Sequence, residues 1–383
     1  RTIQREGVPQ KMGVELMTTL FTWLGIVFCI SQSAMFSGLN LALLGISRLS
    51  LEVESSTGNR AAMRVLKLLR GEAQLLQNDL PPELLDYLAG QEGIQVRRAR
   101  GGNFAYLGFN LADPDTGQWR VRRAVALAID RQAIIRYVFR GAARPAAALL
   151  PPEHWAGAPG LEETRQDLTR ARALLRAAGY GAERPLRLSY KTSSDPFRLR
   201  VATVLQQQLA AAGIEVDIHS YDWGTFYGDI KAGRFQLYSL AWVGVKSPDI
   251  FRYAFHSASL PPDGANRGRL NDAQVDALIG RATEATVLSQ QAALYRQLQA
   301  RLLQRLPYVP LWFEDQFFAA SDAIAGYALD AHGGDGAPAV HRGHRGVSAG
   351  PGVGGARHRV PHEVQRLRRD GAGAPGPAEG DAG

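Results

Sequence analysis

Cysteine is almost absent from the 383 residues: Cys29 stands alone, so no internal disulfide is possible and cysteine usage reports no redox compartment. Lysine is scarce too, with five residues among the 44 lysines and arginines. Neither a phosphate-cradling glycine loop nor a paired-cysteine metal signature occurs, and no cofactor or resident metal is expected. Charge is missing from Leu16 to Ser47, and aromatic residues are missing after Tyr327. The net charge of +8 and the pI of about 9.7 would suit an anionic partner. The arginines, however, alternate with acids instead of massing on one element, so nucleic acid is not expected as a partner.

The uncharged run Leu16–Ser47 exceeds the roughly 20 residues that cross a bilayer, which predicts a membrane segment. Arg5 and Lys11 before it and Arg48 after it leave its orientation open. A secretory signal is the other reading, with an apolar stretch Thr18–Ile30 and small residues at Ser31 and Ser33. The apolar pattern resumes at Met35 and runs to Leu44, which favours the membrane segment. At the other end, Ala331–Gly383 is mostly Gly, Ala, Arg, Pro and His and buries too little apolar surface to offset its chain entropy; it reads as disordered.

Between these ends the pattern is soluble α/β. Phe104–Leu111 reads as a strand, and Val121, Val125, Ile129, Ile135 and Val138 recur at helical spacing, predicting one helix over Val121–Phe139. Asp167 caps a further helix. Leu186, Leu188 and Tyr190 alternate with polar residues as a half-buried strand does. Asp195 and Pro196 open a helix that Gly213 stops, and Ile214, Val216 and Ile218 alternate as the next strand. Strand, helix and strand in this rhythm imply parallel pairing. Two helices, Asp272–Ala285 and Ser289–Leu306, precede a strand over Val309–Ala319.

Phe235–Arg269 is the segment richest in chemistry. Its strand Leu237–Trp242 runs into Gly244 and the turn Ser247-Pro248-Asp249, then a short aromatic helix and a turn at Pro261-Pro262-Asp263-Gly264. Loops at strand ends of open α/β sheets are where small molecules bind. Tyr221, Trp223, Phe226 and Tyr227 follow one strand; Trp242, Phe251, Tyr253 and Phe255 follow the next. Phe226 and Phe251 suit core packing as well as a rim. Trp223 and Trp242 lie beside Gly224 and near Gly244, where an indole can offer a face to a ligand and donate from its nitrogen.

No catalytic constellation is found. Gly346-Val347-Ser348-Ala349-Gly350 has the GxSxG spacing of serine hydrolases but neither the preceding strand nor the following helix that the strained turn requires. His358 and His362 stand at a metal-ligand spacing that Arg359 and Pro361 interrupt. The acid pairs Glu162-Glu163 and Glu314-Asp315 sit at element borders, where solvated capping is the ordinary role.

Two resemblances bear on this reading. Ser33–Leu69, with Ser33, Ser37 and Asn40 in an apolar stretch and then Glu52 and Glu54 in a charged amphipathic helix, resembles the start of the transmembrane domain of the CNNM/CorC-type magnesium and cobalt efflux family. One span does not enclose an ion path, so a divalent-cation transport fragment is the alternative function, not the leading one. From about Gly71 to Leu329 the blocks GEAQLLQNDLPPELL, FAYLGFNL, VRRAVALAIDRQAIIRYVFRGAARPA, WGTFYGDIKAGRFQLYSLAWVGVKSPD and LPYVPLWFEDQ occur in order. They resemble the C-terminal half of the extracytoplasmic peptide-binding proteins of ABC importers, of the oligopeptide and dipeptide type.

That second likeness implies a lobe of a two-lobed cleft that closes on a peptide and delivers it to membrane permease subunits, with no bond made or broken and no enzyme activity. The implied fold is an α/β, periplasmic-binding-protein-like lobe with a mixed, mostly parallel sheet. It is joined to one N-terminal transmembrane helix and a disordered tail, with boundaries 1–70, 71–330 and 331–383. The lobe would stand on the outer face of the cytoplasmic membrane, tethered through residues 16–47. Carried over by position, the ligand-binding residues are Tyr221, Trp223, Trp242, Val245 and Asp249. Val245 stands where the family commonly has an aspartate that pairs with the peptide ammonium. Either the nearby Asp249 replaces it, or the ligand lacks a free amino terminus, since a buried unpaired ammonium is costly. The family's N-terminal half has no counterpart here, so weak or no ligand capture is expected of these residues alone.

Overall fold

The computed structural model describes residues 48–78, 80–327 and 329, and the pair 340–341. The expected membrane segment 16–47 and all of the expected disordered tail except 340–341 lie outside these residues. Among the described residues, no helix is long and apolar enough to cross a membrane. The chain divides into two compact units, the first ending at Ala73. In the first, helix α1 (Arg48–Ser56) is followed by α2 (Arg60–Leu69). Asn59 caps α2 by accepting from the amides of Ala61 and Ala62, and the face Ala62, Val65, Leu66 and Leu68 is buried.

The second unit is built on a seven-stranded sheet. In chain order it comprises β1 (Leu75–Gln77), α3 (Pro82–Ala89), β2 (Ile94–Phe109), α4 (Trp119–Ala128), α5 (Arg131–Tyr137), β3 (Ala143–Pro145) and α6 (Leu168–Ala177). There follow β4 (Leu186–Ser193), α7 (Pro196–Ala211), β5 (Ile214–Tyr221), α8 (Trp223–Ala232), β6 (Leu237–Trp242) and α9 (Ile250–Phe255). Helices α10 (Ala273–Glu284) and α11 (Leu288–Arg305) lead into β7 (Tyr308–Ser321). A small ribbon pairs β8 (Ile324–Ala325) with β9 (Val340–His341) inside the stretch expected to be disordered.

The strand order is β1-β7-β2-β6-β4-β5, with β3 beside β7. The sheet is mixed, as expected, but not mostly parallel. Only β4 pairs in parallel, with β5 and β6; β1, β2, β3 and β7 make antiparallel ladders. The cause is β7, which returns after α11 and lies between β1 and β2. A second correction concerns the helix expected over Val121–Phe139. It is two helices, because Asp130 turns its carboxylate onto the amide of Ala133 and starts α5 afresh. Glu314-Asp315 is likewise not a solvated border. Both residues lie inside β7, with Glu314 paired to Arg198 at 2.6 Å and Asp315 to Arg98 at 2.6 Å.

Alternation along the strands separates two cores. Ala105, Leu107 and Phe109 of β2 join Leu188, Tyr190 and Leu237 under α4 to α7. Phe104 and Tyr106 of β2 join Tyr238, Trp242, Tyr308 and Phe313 under α8 to α11. The second face is crowded with rings, and Gly108 makes room there, since a Cβ would lie 2.4 Å from the Tyr238 ring. At the bulge between Ala99 and Asn103, a Cβ on Gly101 would meet the carbonyl oxygen of Glu314 at 2.1 Å. Among the described residues one edge of the sheet is β5, whose Glu215 and Asp217 are exposed while Ile214 and Val216 are buried.

Two arginines are fixed inside by backbone carbonyls. Arg131 is 3% exposed and donates to the carbonyls of Pro310, Ala126, Ile129 and Thr164. Arg122, 2% exposed, donates to the carbonyls of Thr116, Gly117 and Arg305, and so closes the C-terminus of α11. Burial pulls both guanidinium groups down to about 10. Replacing Arg122 with methionine leaves those carbonyls buried and unpaired. We expect urea denaturation to show a loss of about 2–4 kcal/mol; an unchanged midpoint would contradict the assignment.

Candidate functional site

Strands β4, β5 and β6 run in parallel and end side by side at Ser193, Tyr221 and Trp242. Their chain exits lead into α7, into α8 and into the loop 243–249. Such a row of carboxyl ends is where an open α/β sheet offers a crevice. Asp222 fixes the start of α8 by accepting from the amides of Gly224 at 2.9 Å and Thr225 at 3.2 Å. That cap sets Trp223 as the first helical residue.

The five expected positions fare differently. Trp223 is 46% exposed and stacks on Tyr227 with ring centres 5.5 Å apart and planes 7° from parallel. Tyr221 is half-buried, with the Lys191 ammonium 5.3 Å from its ring centre. Val245 is half-buried against the aromatic core. Trp242 is 1% exposed, so its indole offers no open face, contrary to the expectation from its place at a strand end. It stacks on Tyr106 at 6.4 Å, and its Nε1 has no hydrogen-bond partner among the described residues. The strand's alternation explains this: Trp242 shares the inward face with Tyr238. Phe226 and Phe251 are core residues as well.

Asp249 is exposed and accepts from the Ser247 hydroxyl at 2.7 Å. Burial, and secondly the Asp249 charge, push the Tyr295 hydroxyl above its ordinary value, which puts that carboxylate toward α11. Tyr221, Trp242 and Val245 thus meet at one apolar cluster, with Trp223 on its outer side through Phe226 at 5.9 Å.

Residues that the sequence pattern did not single out tie this group together. Arg267 is 3% exposed, lies 5.2 Å from the Tyr227 ring centre and 5.1 Å from that of Trp242, and donates to the hydroxyls of Tyr106 and Tyr227. A column therefore runs from exposed Trp223 through Tyr227, Arg267 and Trp242 to Tyr106. Lys191 of β4 reaches Asp229 of α8 at 2.5 Å, and Arg234 holds the other oxygen of that carboxylate at 2.6 Å. The Lys191 hydrogen bond, then that of Arg234, holds the Asp229 carboxyl below the usual carboxylate range. The one available signal was a lysine, in a chain with five, inside a half-buried strand. A cavity of about 20 Å³ near Phe104 and Tyr308 and an open hollow of about 810 Å³ beside α5 include none of the five expected positions.

The chain belongs to the family described as bacterial extracellular solute-binding proteins, family 5 Middle, whose model matches residues 52–260. The match begins within α1 and takes in α2, so residues 52–69, grouped above with an efflux-like stretch, fall within the solute-binding match. Di/tripeptide-binding protein 2 of Pseudomonas aeruginosa is 30% identical over 270 residues, covering 70% of this chain and 51% of the relative. The dipeptide-binding protein of Escherichia coli is 25% identical over 274 residues, covering 70% and 51%. A crystal structure of a dipeptide-binding protein from Pseudoalteromonas sp. SM9913 in complex with Met-Leu superposes with a TM-score of 0.65 at 27% identity, covering 72% of this chain and 55% of that one. The chain spans about half the length of the curated relatives it matches.

The Lys191–Asp229 contact is a source of acid sensitivity. A depressed carboxyl contributes stability above its unfolded value of about 3.9 and loses that contribution as pH falls through its folded value. Asp229→Asn is expected to cost about 1–3 kcal/mol at pH 7, with the gap to wild type closing as the medium is acidified below about pH 4. Melting temperatures of both chains across pH 3–7 check this; a gap independent of pH would refute it.

Proposed function

We propose that this chain supplies the C-terminal, ligand-contacting lobe of an extracytoplasmic solute-binding protein that captures a peptide and hands it to the permease subunits of an ABC importer. The observation that carries the reading is the exposed indole of Trp223, stacked on Tyr227 just past the parallel strand tips, where Tyr221 and Val245 are half-buried. The family match, and relatives that bear di/tripeptide-binding names, support a peptide as the solute.

In this reading Trp223 and Tyr221 stack on the ligand and Val245 gives it apolar contact. Trp242 works from behind: it is a wall that fixes the Arg267–Tyr227–Trp223 column, not a surface the ligand touches. Asp249, on the rim and exposed, is the carboxylate nearest in sequence for a peptide ammonium. Binding is reversible and makes or breaks no covalent bond. Residues 16–47 would tether the lobe to the outer face of the cytoplasmic membrane. Residues 1–383 by themselves bind more weakly than a two-lobed cleft does, because one wall supplies only part of the contacts.

Amide chemical-shift titration with Ala-Phe and with its N-acetylated twin tests the proposal. Saturable shifts near Tyr221 and Trp223 are expected. Trp223→Ala should weaken binding about fivefold to tenfold, as loss of one aromatic stack would, with the far-ultraviolet circular dichroism spectrum unchanged. Equal affinity for the two peptides would remove Asp249 from the site, and shifts absent from the strand tips would refute the peptide reading.

A further inference from the structure

Resting on the peptide reading, we infer that Lys191 is the anion-reading residue of the site and that the ligand presents a carboxylate to it beside Tyr221. Tyr190 points into the aliphatic core, so Lys191 projects from the opposite face of β4, the face that α8 covers. Its register partner on β5 is His219, two residues short of Tyr221, and its side chain is 16% exposed, enough to be reached and sheltered enough for charge to count. Ser193 and Tyr221, paired two residues nearer the strand ends, are half-buried.

The local charges do not balance. Two cations, Lys191 and Arg234, share the single carboxylate of Asp229, which leaves one positive charge in surplus. Arg234 already spans Oδ1 of Asp229 with two donors, from Nε at 2.9 Å and Nη2 at 2.6 Å. Asp229 therefore keeps a partner when Lys191 turns toward a ligand. An ammonium has three donors; that of Lys191 gives one to Asp229 Oδ2 and rests against the face of the Tyr221 ring. A ligand carboxylate lying against Tyr221 would accept a charge-assisted hydrogen bond there and cancel the surplus. A ligand ammonium in the same place would meet repulsion.

The test compares N-acetyl-Ala-Phe with its C-terminal amide, two probes that differ only in the acidic group, by chemical-shift titration of the full chain. Wild type should favour the acid by about tenfold, the worth of one hydrogen bond to a charged group. Lys191→Gln should abolish the preference, so that acid and amide bind alike, and Lys191→Arg should keep most of it. Equal binding of both probes by wild type, or a preference that persists in Lys191→Gln, would overturn the assignment to Lys191 and leave the peptide reading standing. Failure of both probes to bind would overturn the peptide reading itself, and the Lys191 assignment with it. The wild-type comparison needs no variant to fold.

Discussion

Strand β2 is hydrogen-bonded to β6 on one side and to β7 on the other, and this double pairing fixes which face every neighbouring side chain occupies. Phe104 lies opposite Trp242 and Phe313, and Tyr106 opposite Leu240 and Pro310. A one-residue slip would exchange the aromatic and aliphatic cores wholesale, so the register is strongly specified. Because β6 is also bound in parallel to β4, the same register sets where the strand tips end. The position of Trp223 and Tyr221 is thus inherited in part from a strand that is not paired with β5.

The aromatic face has a particular energetic character. Rings at 3.9 Å for Tyr106 and Tyr308 and 5.8 Å for Tyr106 and Tyr238 give contacts worth about 0.5–1.5 kcal/mol each beyond their buried area. Such rings have few rotatable bonds and lose little freedom on packing. The column from Tyr106 to Trp223 carries that stiffness outward through Arg267, whose guanidinium lies near rings on both sides. A binding surface built on a stiff support loses less entropy when it is occupied.

Much of this was legible in the residues, and the gaps have physical reasons. Alternation placed β4 and β5, and Asp195 with Pro196 opened α7 where expected. The break at Asp130 was hidden because Val121, Val125 and Ile129 before it and Ile135 and Val138 after it each keep helical spacing, although an aspartate three residues before Ala133 is an ordinary capping signal. The preponderance of antiparallel pairing was not readable, since β7 reaches its place from far along the chain and local patterns carry no record of such a return. At the strand tips, aromatic composition singled out Trp223 and Trp242 alike; only register distinguishes the exposed indole from the buried one. Lys191 escaped because its importance lies in a partner 38 residues further along, Asp229, which Arg234 also holds.

The sheet does not close on itself: beyond β5 no further strand follows among the described residues. Its outward residues Glu215 and Asp217 carry charge along that margin, with Arg187 pairing to Glu215 at 2.8 Å. An unguarded margin of this kind recruits strands from other molecules. Charge along such a margin opposes pairing with a second molecule, and the ionised fringe of β5 supplies that charge here.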